Sequence, residues 1–468
     1  MRADRTAVVH FGSQVGRTLA GFVGTLYIAR TLGSAPFGTY VLGIAVVTWL
    51  HIPTDAVGSA ITKRVSEGKA HRAFLSAGFL VIAALAIGIG GVLFLLDGLI
   101  EGYLDAGVAK FVAALFAGKA LFIGVTAGLD GQKKVAQSGF IRMIEQVCRT
   151  GLHITLIVFG YGLPGLFLGH VGALVVSSGV GLLLFDYSFS VPEREHFQRL
   201  VEYARYSWLN RVQARSLDWI DTLVLGLFVS SSLIGIYEVA WTIASTLSLV
   251  TVSIATTLFP EISELDSEGM TDRIRTLLND AMVFASLLVI PGLFGAVVVG
   301  NRVLAIYGSE FTAGGAVLIL LVGTRVCTSF STMFLKAING LNQPNVAFRI
   351  AVIFLSVNLV LNIVLVATVG WIGAAIATLF SAAVSAALSY RSVARIVGPL
   401  DIPVSTLAKQ VISGIGMAVV VSVFDTLVTS NHVVTVVLVV GGAAIYMTLL
   451  LGISPRLRTR LLATISRA

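Results

Sequence analysis

Charge is what this chain of 468 residues has least of. Only 12% of its residues are Asp, Glu, Lys or Arg, against about 25% in an average soluble domain. So little charge cannot cover a soluble surface of this size, which excludes a soluble enzyme and a disordered chain. Cysteine is almost absent. Cys148 and Cys327 lie far apart, each inside an apolar run, so a disulfide scaffold and any cysteine-based metal or redox motif are excluded as well. No phosphate-cradling loop ending in Gly-Lys-Ser or Gly-Lys-Thr occurs, and with it goes P-loop nucleotide hydrolysis as an energy source. The seven histidines are scattered. His51, His153 and His170 fall in or near apolar runs and are expected to be packed or hydrogen-bonded. No metal, cofactor or catalytic triad is expected.

What is present is apolar: 56% of the residues, with a mean hydropathy of +0.92 and 48 glycines. Glycine is more frequent in membrane helices than in soluble ones. A spanning helix needs about 20 residues. The apolar runs, broken at Gly, Pro and charge clusters, predict an all-α polytopic membrane protein of about fourteen spans. These are 8–29, 36–59, 74–97, 106–128, 138–160, 163–186, 206–229, 233–259, 278–300, 312–335, 345–368, 371–395, 405–428 and 432–452. The first run has no small-residue cleavage site and is expected to stay as a span rather than act as a signal peptide. With the N-terminus in the cytoplasm, most of the 32 Lys and Arg fall on connections facing that side, and Arg30, Lys110 and Arg302 on the other. By the positive-inside rule both termini are then cytoplasmic.

The sequence repeats itself. TLYIARTLGSAPFGTYVLGIAV from Thr25 and TLVLGLFVSSSLIGIYEVAWTI from Thr222 align at one constant offset. Thr25, Leu26, Gly38 and Tyr40 meet Thr222, Leu223, Gly235 and Tyr237. A Ser-Glu-Gly triplet follows each copy, at Ser66 and at Ser267. Six spans separate the copies, so both run the same way through the membrane and form a parallel repeat about the membrane normal. The expected organisation is a six-span lobe over 1–186, a cytoplasmic interfacial linker over 187–205, a second six-span lobe over 206–396 and two more spans within 397–452. A basic amphipathic tail over 453–468 follows. Its Leu457, Leu461, Leu462 and Ile465 share one helical face, with Arg458, Arg460 and Arg467 off it. Such a helix lies on anionic lipid headgroups. The tail accounts for part of the net charge of +8 without a nucleic-acid partner.

An ionisable residue inside a span is a functional hypothesis by default, because it costs about 2.5–3.5 kcal/mol to insert. Arg17 lies roughly 13 Å into the first span at 1.5 Å per residue, with Gln14, Thr18 and Gly21 on its face. It reads as a cavity-lining anion contact or as a partner for Asp55. Arg211, Arg215, Asp218 and Thr222 share one face of the seventh span, with Asp221 beside it. They form either a cationic cavity wall or an internally compensated stripe. Glu145 and Arg149, four apart, read first as an intrahelical pair. Lys119 and Arg325 stand between substrate contact and interhelical partner. Asn358 and Asn362 read as interhelical hydrogen-bonding groups. Together the interior cations Arg17, Lys119, Arg149, Arg211, Arg215 and Arg325 point to an anionic cargo. Phosphate or diphosphate matches Arg forks best.

Three stretches carry a resemblance. ARTLGSAPFGTY over 29–40 is similar to the first-loop signature of prokaryotic oligosaccharide flippases. So is the run from Asp218 through Gly235-Ile236-Tyr237 to Leu258-Phe259-Pro260-Glu261-Ile262-Ser263. The third pairs Asn358 and Asn362 with Trp371-Ile-Gly-Ala-Ala-Ile-Ala-Thr378. In this order they resemble the Wzx-like polysaccharide-export branch of the multidrug/oligosaccharidyl-lipid/polysaccharide exporter superfamily. The resemblance implies two lobes with a V-shaped central cavity and alternating access driven by an ion gradient or membrane potential. It implies a lipid-linked oligosaccharide as cargo, with Arg17, Arg211 and Arg215 as its best phosphate contacts. It also implies a multi-pass protein of a prokaryotic plasma membrane, monomeric and working beside other glycan-assembly proteins. The alternative within the superfamily is an ion-coupled drug or metabolite antiporter, which would need an intramembrane carboxylate such as Asp55. A membrane glycosyltransferase or polymerase would need a larger loop outside the membrane than this chain has.

Overall fold

Apolar runs of this length satisfy their backbone in hydrocarbon only as helices or closed barrels, and helices are what form. The computed structural model describes residues 20–68, 70–104, 107–186, 190–429 and 431–454, with the backbone alone at residue 206 and residues 209–218. The helices are α1 (20–32), α2 (Ser34–Leu50), α3 (Ile52–Ser66), α4 (His71–Leu95), α5 (Asp97–Leu104), α6 (Ala109–Gly131), α7 (Val135–Val158), α8 (Gly162–Leu183) and α9 (Arg194–Phe228). They continue with α10 (Ser231–Thr246), α11 (Leu249–Ser267), α12 (Thr271–Ala305), α13 (Gly315–Gly340), α14 (Pro344–Val369), α15 (Ile372–Val397), α16 (Val404–Leu427) and α17 (His432–Ile453). Each expected span falls on one of these helices or, for the second and eighth, on a pair of them. The first reaches the described residues only through α1, and the basic tail lies outside them after Ser454.

Among the described residues nine helices are long and apolar enough to cross a membrane, or eleven with two bent pairs counted as single spans. Their outer faces are apolar as well: Ile87 and Leu95 of α4 are 76% and 82% exposed. A helix that is apolar all round yet exposed on one side is built for lipid. α7 falls outside this group because Arg142, Glu145 and Arg149 interrupt it.

The two bent pairs correspond to each other in the repeat. α2 and α3 meet at His51 with a 53° bend, and α10 and α11 meet at Leu247–Ser248 with the same 53°. Pro53 stands at the first break, in the first turn of α3 where its missing donor is tolerated. No proline stands near the second, because Pro260 lies well inside α11. The break is therefore a property of the repeated fold, and Pro53 only accommodates it.

The chain divides into two compact units, Met1–Gly235 and Ile236–Ala468. In the first, α3, α4, α6 and the start of α9 close a core around Ile61, Leu75, Leu129 and Ile141, all fully buried, with Phe185 and Leu200 beside them. α9 is one rod of 35 residues. It joins the amphipathic stretch expected as a linker to the seventh span and lies with the first unit rather than opening the second. Its N-terminus is fixed by a capping box in which the Glu193 amide donates to His196 Nδ1 at 3.0 Å. The His196 ring then meets Phe74 edge-on at 4.8 Å. On α5, the Tyr103 hydroxyl donates to the Leu223 carbonyl at 2.6 Å, and burial pushes its pKa up to about 12.

The start of α2 touches residues 231–235 with no side chains between the backbones. A Cβ on Gly38 would overlap the Ser231 carbonyl, and a Cβ on Gly235 would overlap the Ser34 carbonyl. Ser34 and Ser232 share a hydroxyl hydrogen bond of 2.6 Å across the contact. Gly38 and Gly235 are repeat equivalents, as are Ser34 and Ser231. Each copy thus presents to the other what it receives, as in an isologous contact.

In the second unit α11, α12, α13 and α15 pack around Ile262, Leu278, Met333 and Val393. α16 and α17 dock on α12 through Met417, Val421, Tyr446 and Leu450. Two polar ties hold α16 there. Buried Gln410 donates to the Val283 carbonyl at 2.9 Å and accepts from the Ser286 hydroxyl at 2.8 Å. Arg302 pairs with Asp425 at 2.5 Å and donates to the Asp425 carbonyl at 2.8 Å, capping the end of α16.

Candidate substrate cavity

Polar residues at helical spacing on three neighbouring helices need water or one another. Asp55, Ser59 and Thr62 recur on one face of α3, Lys119, Thr126 and Asp130 on α6, and Arg142, Glu145, Gln146 and Arg149 on α7. They line a cavity of about 630 Å³ inside the first unit, closed also by His170 of α8 and Trp219 of α9. That volume is in the range of about 300–1,000 Å³ typical of small-molecule sites.

The pairings are specific. Glu145 and Arg149 form the expected i, i+4 pair at 3.3 Å, and Arg149 also donates to the Gln146 side-chain oxygen. Arg142 donates to Asp130 at 2.8 Å and to Ser138 at 3.3 Å. Lys119 donates to the Thr48 hydroxyl at 3.0 Å. Behind the wall runs a buried chain of hydrogen bonds. His153 Nε2 lies 2.9 Å from the Leu166 carbonyl and so carries the proton. It also faces the Tyr40 hydroxyl at 3.4 Å, and that hydroxyl lies 2.9 Å from His170 Nδ1. His170 Nε2 in turn lies 3.4 Å from the Arg149 guanidinium and 3.6 Å from Glu145. Arg149 and His170 both stand beside the Glu145 carboxylate. The hydrogen-bonded roles expected of His153 and His170 are met, while His51 stacks on Phe116 at 4.1 Å.

Of the residues singled out in the sequence, Lys119, Arg149, Glu145 and Asp55 come together here. Arg17 lies outside the described residues. Arg211, Arg215 and Asp218 sit on α9, their side chains outside the described set, and Asp221 is buried one turn further along. Arg325 belongs to the second unit, 4.0 Å over the Trp241 ring and donating to Ser245 at 2.7 Å. Asn358 bridges to Thr378 of α15 at 3.2 Å, as an interhelical group should, and Asn362 donates back to the Asn358 carbonyl at 3.1 Å. Sequence reasoning missed Arg142, Asp130, Gln146 and Trp219. Arg142 is one of the cations that the positive-inside reading counts on the cytoplasmic side, and Asp130 falls between two expected spans. The signal was available: Arg142 stands three residues before Glu145 and seven before Arg149, on one face of α7.

The described lining carries Lys119, Arg142 and Arg149 against Asp55, Asp130 and Glu145. The excess of positive charge expected from the sequence is not found in this part of the molecule. The cavity is polar, internally paired and balanced.

Comparison with known proteins places the chain. The family model described as polysaccharide biosynthesis protein matches residues 5–266, and that of the lipid II flippase MurJ matches residues 212–461. The chain belongs to the polysaccharide biosynthesis protein family. Within it the chain is 33% identical to the probable flippase AglR of Haloferax volcanii, over 99% of this chain and 98% of that one. The probable low-salt glycan biosynthesis flippase Agl15 of the same organism is 29% identical, over 93% and 92%. Among solved structures the lipid II flippase MurJ in an inward closed conformation superimposes with a TM-score of 0.78 at 17% identity, covering 95% of this chain and 97% of that one. An inward-facing multidrug resistance MATE family transporter of the MOP superfamily gives 0.67 at 15% identity, over 82% and 96%. At these identities the likeness to the solved structures is one of fold.

Proposed function

We propose that the protein moves a lipid-linked oligosaccharide, carried on a polyprenyl phosphate or diphosphate, from the cytoplasmic to the outer leaflet of a prokaryotic plasma membrane by alternating access. The observation that carries this reading is end-to-end similarity to the probable flippase AglR. A paired polar cavity inside an otherwise apolar bundle supports it. A head group of phosphates and sugars cannot cross hydrocarbon unaided, because its polar groups would lose water without replacement. The cavity of the first unit offers replacement donors and acceptors. Arg17, Arg211 and Arg215 are the proposed phosphate contacts, with Lys119, Arg149 and Arg325 as secondary cations and Asp55, Asp218, Asp221 and Glu145 as their charge partners. A potential negative inside favours outward movement of the anionic cargo by about 2.3 kcal/mol per charge per 100 mV. The protein acts as a transporter without bond chemistry of its own, as a monomer with both termini cytoplasmic. Its tail rests on anionic lipid, in company with other glycan-assembly proteins. The antiporter alternative rests on the shared fold alone.

The test is reconstitution in liposomes with a fluorescent lipid-linked oligosaccharide. Wild-type protein should expose the label to an outside quencher or glycosidase. Arg17→Ala should insert and fold but lose flipping. Export of an organic cation with no lipid flipping would overturn the reading.

A further inference from the structure

The balanced lining of the first-unit cavity fits only part of a phosphate-bearing cargo. An anion entering it would meet three carboxylates, and the two arginines it needs are already held by Asp130 and Glu145. We infer that this cavity is a saccharide subsite that reads an uncharged, hydroxyl-bearing sugar residue of the cargo, with Trp219 as its stacking platform and Gln146 as a polar reader. The inference rests on the flippase reading above and divides the cargo: phosphate at Arg17, Arg211 and Arg215, and sugar here, where Lys119 and Arg149 serve as hydroxyl donors rather than phosphate contacts.

Four features support it. Planar charged groups fixed in pairs present donors and acceptors side by side, which is what adjacent hydroxyls of a pyranose need and what a phosphate does not. Their mutual neutralisation lets a neutral ligand enter without a net desolvated charge. Trp219 supplies, beside the Phe122 ring, an aromatic surface that also carries a ring-edge donor, suited to the C–H face of a sugar. Gln146 holds a donor and an acceptor on one planar amide, and its oxygen is already oriented by Arg149.

The experiment uses the full chain in liposomes and three short-chain polyprenyl phosphate probes: one with a neutral hexose, one with the matching sugar acid, and one bare. Binding is read by fluorescence titration of a labelled lipid, and flipping by quenching. Trp219→Ala and Gln146→Ala should each weaken binding of the neutral sugar lipid by about tenfold, the loss of one good contact. Trp219→Phe, which keeps the stacking face, should hold it within about threefold. Binding of the bare lipid should be the same in all four proteins, and the sugar acid should bind no better than the neutral sugar. Equal losses on sugar-bearing and bare lipids would overturn the subsite, as would tighter binding of the sugar acid or full activity in Trp219→Ala. A wild-type protein that flips neither sugar lipid would instead overturn the flippase reading, and this inference with it.

Discussion

Replacing Gly38 by alanine is the sharpest test of the contact between the two repeat copies. The added Cβ would overlap the Ser231 carbonyl and stand 2.7 Å from the Gly235 amide nitrogen, where a carbon–oxygen contact needs about 3.3 Å. The obstruction is backbone on a helix start, so no rotamer change relieves it. Overpacking costs typically about 1–3 kcal/mol, and rigid backbone puts Gly38→Ala at the upper end. Gly235→Ala should cost less, since its Cβ would stand 3.1 Å from the Gly38 nitrogen, though it too overlaps a carbonyl. Gly179→Ala on α8 is the control. Nothing lies within 4 Å of its Cβ, and alanine in a helix interior gains about 0.5–1 kcal/mol over glycine. Thermal unfolding of detergent-solubilised protein should rank the midpoints Gly38→Ala lowest, then Gly235→Ala, then wild type, with Gly179→Ala at or above wild type. A Gly38→Ala protein as stable as the Gly179→Ala control would refute the backbone contact.

Pro53→Ala should leave the α2–α3 bend in place, because the equivalent break in α10–α11 forms without proline; an electron-spin distance between labels on α2 and α3 should not change. Gln410→Leu should lower the unfolding midpoint by the equivalent of about 1–3 kcal/mol, because it removes two buried hydrogen bonds between α16 and α12; an unshifted melting curve would show that α16 does not depend on this tie. Tyr103 stays protonated in the folded state up to about pH 12, while the unfolded phenol ionises near its ordinary value of 10.0. Its bond to Leu223 therefore contributes fully below pH 10 and is lost as the pH rises through about 12. Tyr103→Phe should cost about 1 kcal/mol at neutral pH and flatten the alkaline loss of stability over that window.

Helix positions were legible because an apolar run of twenty residues has few other uses. The repeat was legible too, and its conserved spacing of Gly38 and Gly235 marked the very residues that meet. The paired breaks at His51 and Ser248 were not, since hydropathy runs straight through both and only one has a proline to mark it. The continuity of α9 was hidden for the opposite reason: residues 194–205 are polar enough to look like a linker, yet nothing in them stops a helix. In the cavity, the Glu145–Arg149 pair could be read from spacing alone. Arg142 shares the face of that pair, yet a cation near a helix end reads equally as topological charge until its partner Asp130 is seen.

The face of α7 has a consequence for how the protein is made. Arg142, Glu145 and Arg149 would each add about 2.5–3.5 kcal/mol to the insertion of a lone helix, so α7 is a poor candidate to enter the bilayer by itself as it leaves the ribosome. Its relief comes from both sides in the chain: Asp130 on α6, already made, and His170 on α8, not yet made. The short turn between α7 and α8 delivers the second partner promptly. Integration of α7 should therefore wait for α8 and proceed as a hairpin. A stalled chain ending before His170 would leave α7 outside the hydrocarbon, so this buried polar face also sets the order of the protein's assembly.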